Sequence, residues 1–131
     1  MNQNWHIETQ AVQAGYRPGN GEPRTLPLYQ STTYKYDDAQ SVADLFDLKS
    51  EGFFYTRLAN PTVDAFEKKM AALEGGVAAV AVSAGQTASM LAILNIARAG
   101  DHIVAVASLY GGTVSLFTNT FSKLGIEFTF V

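Results

Sequence analysis

The sequence predicts an α/β fold with a mostly parallel sheet, preceded by a long irregular N-terminal arm. From residue 77 onward the pattern alternates strand, helix, strand, helix and strand, which is typical of parallel strands joined by right-handed crossovers. Residues 77–82 form a continuous apolar run, as expected of a strand that is buried on both faces. Residues 1–36 differ, because they hold three of the four prolines and show no sustained hydrophobic period.

The composition is that of a globular protein. Of the 131 residues, 47% are apolar and 16% are charged, which excludes an intrinsically disordered chain. The absence of cysteine excludes disulfide scaffolds, thiolate metal sites and cysteine nucleophiles. With a net charge of −3 and scattered basic residues, the sequence does not indicate a positively charged surface that would bind nucleic acid. No apolar run approaches the ~18 residues of a membrane span and the N-terminus does not resemble a signal peptide, so we expect a cytoplasmic protein without a membrane partner.

Three helices are predicted before residue 77. A short helix covers residues 8–13, and the pair Asp37–Asp38 caps a second helix that ends at Glu51 and Gly52. Asn60 followed by Pro61 marks the start of a third helix, since asparagine caps free N–H groups and proline suits the first helical position. This third helix ends at residues 75–76, where two glycines follow. The apolar side of the second helix is predicted to hold Val42, Leu45, Phe46 and Leu48.

The remaining elements surround two loops that follow strands. After the strand at residues 77–82, residues 83–86 turn the chain, and residues 108–112 form the corresponding loop after the next strand. The chain stops on a strand without a polar tail, so we expect it to be part of a longer protein. The other predicted elements are a helix over 87–98, a strand over 102–107, a helix over 113–123 that Gly125 ends, and a strand over 126–131.

The carboxyl ends of parallel strands are where open α/β sheets bind ligands. Gly85 and Gln86 lie there at a helix N-terminus, whose free N–H groups and dipole favour an anion. The alternative is a tight turn that simply needs a glycine. Tyr110 precedes two glycines in the second loop, where its ring can stack on a flat ligand or transfer a proton, or else only cover the sheet edge.

Tyr55 and Arg57 are predicted to lie on the same side of an extended segment. Arginine binds phosphate or carboxylate through two hydrogen bonds, although a surface arginine without a ligand is the alternative. The two histidines, His6 and His102, are interpreted as structural, because they are too few and too scattered for a metal site. The acids at positions 64, 67 and 74 are explained by a solvated helix face.

Several motifs in order resemble a known family. They are residues 27–32 (PLYQST), 55–62 (YTRLANPT), 72–76 (ALEGG), 83–86 (SAGQ) and 109–113 (LYGGT). Together they resemble the N-terminal part of the pyridoxal-phosphate (PLP)-dependent enzymes of cysteine and methionine metabolism, over residues 9–131. Within that family, residues 33–39 and the pair Gly85–Gln86 are most similar to O-acetylhomoserine sulfhydrylases, since the γ-lyases and γ-synthases usually have Gly-Met at that pair.

The resemblance implies a type I, aspartate-aminotransferase-like fold. Residues 1–60 would form an arm with short helices that packs on a partner subunit, and residues 61–131 would begin the PLP-binding domain of a homotetramer built from two active dimers. The backbone of Gly85 and Gln86 would hold the cofactor phosphate, which Tyr55 and Arg57 of a neighbouring subunit would also reach. Tyr110 would stack on the pyridine ring and assist proton transfer.

The implied reaction converts O-acetyl-L-homoserine and sulfide into L-homocysteine and acetate. The alternatives are a methionine γ-lyase or cystathionine γ-synthase and, from another class, a truncated assembly module without chemistry, which the length of the reading frame would distinguish. The Schiff-base lysine is implied to lie beyond residue 131, so we expect the chain alone to be inactive. The lysines present, none of which matches the family motif, are Lys35, Lys49, Lys68, Lys69 and Lys123.

Overall fold

The computed structural model describes residues 5–131, which form two compact units that divide between Ala81 and Val82. The N-terminal unit contains the three helices that the sequence predicts. They are α1 (Ile7–Gln13), α2 (Ala39–Phe46) and α3 (Pro61–Glu74). The predicted division of the parent enzyme into an arm of residues 1–60 and a domain that begins at residue 61 stays a prediction.

Helix α3 begins and ends where its local sequence predicts. Asn60 is extended and its Oδ1 accepts the Thr62 N–H at 2.9 Å, while Pro61 occupies the first helical position. At the other end Gly75 has φ +66°, the left-handed conformation that glycine adopts without steric cost. Both ends of this helix are therefore stabilised by residues of the chain itself.

Helix α1 packs on α3 at a close approach that only glycine allows. Gly15 has φ +88°, and a Cβ at this position would lie 2.1 Å from the carbonyl oxygen of Ala65. Lys69 Nζ donates to the carbonyl oxygens of Ala11 and Val12, at 3.1 and 3.3 Å, near the C-terminus of α1. The first helix of the arm is thus fixed to α3 of its own chain.

Helix α2 is shorter than predicted. Asp38 caps it as expected, accepting the Ser41 N–H at 2.7 Å, but the helix ends at Phe46 rather than near Gly52. The reason is local, because Leu48 adopts a left-handed conformation (φ +57°) that stops the helical ladder. Of the predicted apolar side, Leu45 is buried, whereas Phe46 and Leu48 are exposed.

The C-terminal unit is a small parallel α/β assembly. It contains α4 (Gly85–Leu94), β1 (His102–Ala105), α5 (Gly111–Ser115) and β2 (Glu127–Phe130). The strands pair in parallel, with His102 opposite Glu127 and Ala105 opposite Phe130, which confirms the predicted pairing. Between α5 and β2 the chain continues as a π-helical turn over Leu116–Phe121 and a 3-10 turn over Ser122–Leu124, and Gly125 (φ +76°) ends it as predicted.

Aromatic residues of the π-helical turn and of β2 form the core of this unit. Phe117 and Phe121 are buried together with Ile126, and the Phe117 and Phe128 rings stack with centroids 4.4 Å apart. The apolar residues packed against this core come from α4, both strands and the neighbouring loops: Met90, Ile93, Ala97, Ile103, Ala105, Leu109, Leu116, Phe128 and Phe130. This core packs against the second half of α4 and against residues on either side of α5.

The structure has no strand at residues 77–82, so the prediction of a strand there is wrong. A strand forms only when neighbouring backbone accepts its hydrogen bonds. Here the Ala81 N–H instead donates to the Glu67 side chain at 2.7 Å, and Val77 and Val80 are exposed. Helix α4 also starts two residues earlier and ends four residues earlier than the predicted helix at 87–98. Within residues 5–131, no helix combines the length and apolarity needed to cross a bilayer.

Candidate active site

The N-terminus of α4 is not capped by a side chain. Ala84 stands at the N-cap position, and the Ala88 N–H makes the first bond of the ladder, to the Ala84 carbonyl at 3.1 Å. The N–H groups of Gly85, Gln86 and Thr87 precede that ladder. A Cβ on Gly85 would meet no atom within 4 Å, so the surface beside this helix end is open among the described residues. The helix end therefore offers N–H donors and the positive end of its dipole to an anion.

The side chain of Gln86 links the start of α4 to the start of α5. Its Nε2 contacts Thr113 Oγ1 at 3.4 Å. Its Oε1 is buried and has no hydrogen-bond partner among the described residues. Buried acceptors without donors are uncommon and cost about 1–3 kcal/mol, so such an atom in a native site calls for an explanation. Sequence reasoning considered only the backbone of Gln86 and missed this side-chain contact.

Tyr110 lies directly beside this contact. It is the N-cap residue of α5 and its side chain is 78% exposed, so it covers little of the sheet. A Cβ on Gly112 would lie 2.6 Å from Tyr110 Cε1 and 3.0 Å from Gln86 Nε2. The Tyr110 ring and the Gln86 amide thus both approach the backbone at Gly112, which must lack a side chain for this arrangement. The structure brings Gly85, Gln86 and Tyr110 together at one edge of the C-terminal unit.

Tyr55 and Arg57 are also brought together, but not on an extended segment as predicted. Tyr55 forms an isolated antiparallel bridge with Thr33, and the chain then turns, with the Leu58 N–H donating to the Tyr55 carbonyl at 3.0 Å. Arg57 Cζ lies 5.2 Å from the Tyr55 ring centroid, which is a cation–π contact. The turn, and not strand alternation, places the two side chains on one side. This pair belongs to the N-terminal unit.

Of the other polar residues singled out by the sequence, His102, Asp64 and Glu67 make side-chain contacts and His6 does not. His102 Nε2 and Thr129 Oγ1 are 2.8 Å apart across the β1–β2 pair, and His6 stands at the N-cap of α1 without a side-chain cap bond. Asp64 pairs with Lys68 at 2.6 Å, and Glu67 binds the Ala81 backbone rather than only facing solvent. Among residues 5–131, no three His, Cys, Asp or Glu side chains converge into a group that could hold a metal ion.

Three comparisons with known proteins agree. Residues 8–131 match the family "Cys/Met metabolism PLP-dependent enzyme". The chain is 52% identical to an O-acetyl-L-homoserine sulfhydrylase from Leptospira meyeri, over 100% of this chain and 30% of that protein. It is 49% identical to another from Corynebacterium glutamicum, over 97% of this chain and 29% of that protein.

Solved structures give the same result. A Campylobacter jejuni structure, named as an O-acetylhomoserine (thiol)-lyase, superposes with a TM-score of 0.86 at 33% identity, over 97% of this chain and 31% of that one. That neighbour carries an N'-pyridoxyl-lysine-5'-monophosphate, and its likeness confirms the predicted type I fold. The chain spans about 30% of the length of the curated relatives. With nearly all of its residues matched, it belongs to the PLP-dependent enzymes of cysteine and methionine metabolism.

Proposed function

We propose that the chain is the N-terminal part of a PLP-dependent enzyme that converts O-acetyl-L-homoserine and sulfide into L-homocysteine and acetate. The observation that carries the proposal is the uncapped N-terminus of α4 beside the exposed Tyr110. The names of the relatives from L. meyeri and C. glutamicum support the choice of substrates. We assign the reaction to methionine biosynthesis, with transsulfuration chemistry, in the cytoplasm.

The residues at the start of α4 fit a phosphate group. The backbone N–H groups of Gly85 and Gln86 precede the helical ladder, and the surface beside Gly85 is open among the described residues. The Tyr110 ring, at the same edge, offers a flat face for the cofactor's pyridine ring. When bound, PLP supplies an electron sink for carbanion chemistry on an amino-acid substrate. The protein holds and orients the cofactor and the substrate, and it moves protons between them.

Tyr110 is the residue of this chain that we assign to proton transfer. Its hydroxyl is on an exposed ring held over Gly112, where it can reach a bound substrate without rearranging the core. In the overall reaction the bond from the γ-carbon to the acetate oxygen breaks and a carbon–sulfur bond to sulfide forms. Protons must leave and return during this exchange, and Tyr110 is suited to shuttle them.

We further propose that Tyr55 and Arg57 bind the phosphate of a neighbouring subunit in a homodimer or homotetramer with shared active sites. Arg57 is exposed and its guanidinium stacks at the Tyr55 ring, so the charge is oriented and accessible. A charge-assisted bond to a partly buried phosphate is worth roughly 1.5–3 kcal/mol. We therefore expect Arg57→Ala in the full-length enzyme to weaken PLP binding about ten- to a hundredfold. Arg57→Lys, which keeps the charge but loses the planar fork, should recover part of this affinity.

Subunit mixing tests the shared site. One parent carries Arg57→Ala and the other lacks the cofactor-binding lysine, and both are unfolded and reassembled together. If Arg57 acts across the interface, the mixed dimer regains one complete site, and activity at limiting PLP exceeds that of either parent. If subunit exchange occurs without any such gain, Arg57 serves its own subunit and the shared-site proposal is wrong.

Two product assays on the full-length enzyme test the reaction itself. Incorporation of sulfide into L-homocysteine is the expected result with O-acetyl-L-homoserine. Release of α-ketobutyrate as the main product would instead favour a γ-lyase, and use of cysteine as the sulfur donor would favour a cystathionine γ-synthase.

Four of the five lysines bind acceptors among the described residues. Lys49 and Lys68 pair with Asp47 and Asp64 at 2.7 and 2.6 Å, and Lys35 pairs with Asp37. These contacts involve exposed lysine side chains of the N-terminal unit. They support the expectation that the catalytic lysine is not among them and that the 131-residue chain alone is inactive.

A further inference from the structure

Asn60 is buried with only 5% of its surface exposed, and it is the one buried polar residue among residues 5–131. We propose that Asn60 is a positioning residue that holds the turn carrying Tyr55 and Arg57 in the conformation that presents Arg57 to phosphate. The inference rests on the proposed role of Arg57 in binding the cofactor. It concerns a residue that sequence reasoning treated only as a helix cap.

Capping explains only half of the Asn60 side chain. The cap bond uses Oδ1, which accepts the Thr62 N–H at 2.9 Å, and aspartate or serine would serve equally well. The amide nitrogen makes separate contacts. Its Nδ2 lies 2.9 Å from the Tyr29 carbonyl and 3.1 Å from both Tyr34 Oη and Thr56 Oγ1. The amide caps the helix through its oxygen and has two N–H donors for these three neighbouring oxygens, whereas a serine hydroxyl has one donor and a carboxylate has none.

These acceptors fix the turn between Tyr55 and Arg57. Thr56 is the residue between them, and its Oγ1 also bonds the Ser31 carbonyl and lies 3.3 Å from Tyr34 Oη. Its backbone N–H donates to the Thr32 carbonyl at 2.9 Å. Residue 56 is therefore held through both its backbone and its side chain, which sets the directions of its two neighbours.

Arg57 depends on this support because its own side chain is exposed. An exposed arginine has many rotamers, and ordering it on a ligand costs binding free energy. A turn that is already fixed, with Arg57 Cζ 5.2 Å from the Tyr55 ring centroid, lowers that cost before the phosphate arrives. Loss of the Asn60 donors should therefore appear as weaker PLP binding.

The test measures the PLP dissociation constant of the full-length apoenzyme by titration of cofactor absorbance or fluorescence. Asn60→Asp keeps the cap acceptor and removes the amide donors, and we expect PLP to bind about tenfold more weakly. Thr56→Val removes the same contact from the other side at an exposed position, so it should fold and show a similar loss. Thr56→Ser keeps the hydroxyl and should bind PLP nearly as well as the wild type.

A double-mutant cycle with Arg57→Ala separates positioning from general damage. If Asn60 acts through Arg57, then Asn60→Asp and Thr56→Val should cause no further loss of PLP affinity once Arg57 is alanine. Additive losses would mean a structural role and would overturn the inference. Wild-type affinity in Asn60→Asp and Thr56→Val, with a loss in Arg57→Ala, would also overturn it while the proposed function stands. If Arg57→Ala itself binds PLP normally, the proposed phosphate contact of Arg57 and this inference fail together, and the product assays still decide the proposed reaction. Should Asn60→Asp not fold, the Thr56 variants decide.

Discussion

Helices α3 and α4 begin in opposite ways. At α3 the chain supplies its own cap, with the buried Asn60 accepting the Thr62 N–H and Pro61 in the first position. At α4 the corresponding residue is Ala84, which has no side chain able to accept a hydrogen bond. Replacing a capping residue by alanine costs about 0.5–2 kcal/mol, so the start of α4 forgoes stability that the start of α3 has. The difference fits the proposed roles, in which α3 holds the fold and the start of α4 binds the phosphate.

The largest expected effect is at Tyr110, near the uncapped helix end. In the full-length enzyme Tyr110→Phe keeps the ring and removes the hydroxyl. Loss of a proton-transfer group lowers rates by 10²–10⁴-fold, and we expect a fall of about 10²-fold in kcat. The thermal midpoint and the bound PLP should stay as in the wild type, since the exposed hydroxyl contributes little to packing. Unchanged turnover would mean that Tyr110 is a surface residue without a role in proton transfer.

Gly112→Ala should separate rate from stability at the same place. The new Cβ would lie 2.6 Å from Tyr110 Cε1, so the ring must leave its position. If half of the activation free energy that Tyr110 contributes depends on the placement of its ring, kcat should fall about tenfold. Helical alanine is favoured over glycine by about 1 kcal/mol, so the thermal midpoint should not fall. Gly111→Ala is the matched control, because a Cβ there meets nothing within 4 Å. Equal losses of activity in both variants would contradict the contact argument.

Giving α4 the kind of cap that α3 has should test the comparison directly. Ala84→Ser and Ala84→Asp each provide an acceptor for the first turn, and both should stabilise the apoenzyme by about 1 kcal/mol in chemical unfolding. Both should also weaken PLP binding, by up to about tenfold, because the new acceptor competes with phosphate. Aspartate should weaken it more than serine through its charge. A cap that stabilises the protein and leaves PLP affinity untouched would place the phosphate elsewhere.

The smallest effect is expected at Asp38, which caps α2. Hydrogen bonds from the Ser41 backbone and hydroxyl hold the pKa of Asp38 below its ordinary value. The stabilisation that follows from this lowered pKa is complete above the ordinary value and is lost as the pH falls through the lowered one. Asp38→Asn keeps an acceptor but does not titrate, so its unfolding midpoint should approach that of the wild type as the solution is acidified. Asp38→Ala should be the less stable of the two variants at neutral pH.

Most local signals predicted the structure well, and the parallel pairing of β1 with β2 was also predicted, but one predicted strand did not form. Asn60, Pro61 and Gly75 bound α3 as expected because caps and left-handed glycines act through neighbouring residues. The strand at 77–82 failed because pairing depends on distant backbone, which an apolar run alone does not specify.

The candidate site shows the same contrast. The sequence identified Gly85, Gln86 and Tyr110 from their places after predicted strands, and the structure gathers them at one edge of the C-terminal unit. It did not identify the approach of Tyr110 to Gly112 or the three acceptors around the Asn60 amide. The Asn60 contacts with Tyr29 and Tyr34 join positions 31 and 26 residues apart, which no local pattern encodes. Tyr110 and Gly112 are near neighbours in sequence, and there the side-chain conformation was what the sequence did not specify.

The apolar run at residues 77–82 has a consequence for how this polypeptide behaves in solution. Six consecutive alanines and valines without charge or proline have the composition of segments that stack between molecules. Within the described residues Val77 and Val80 face solvent, whereas Ala79, Ala81 and Val82 are half-buried. Glu74 precedes it in the manner of a gatekeeper, but no charged side chain follows before Arg98. During synthesis this stretch would be a natural binding site for a chaperone. Concentrated preparations should aggregate more readily than a net charge of −3 suggests.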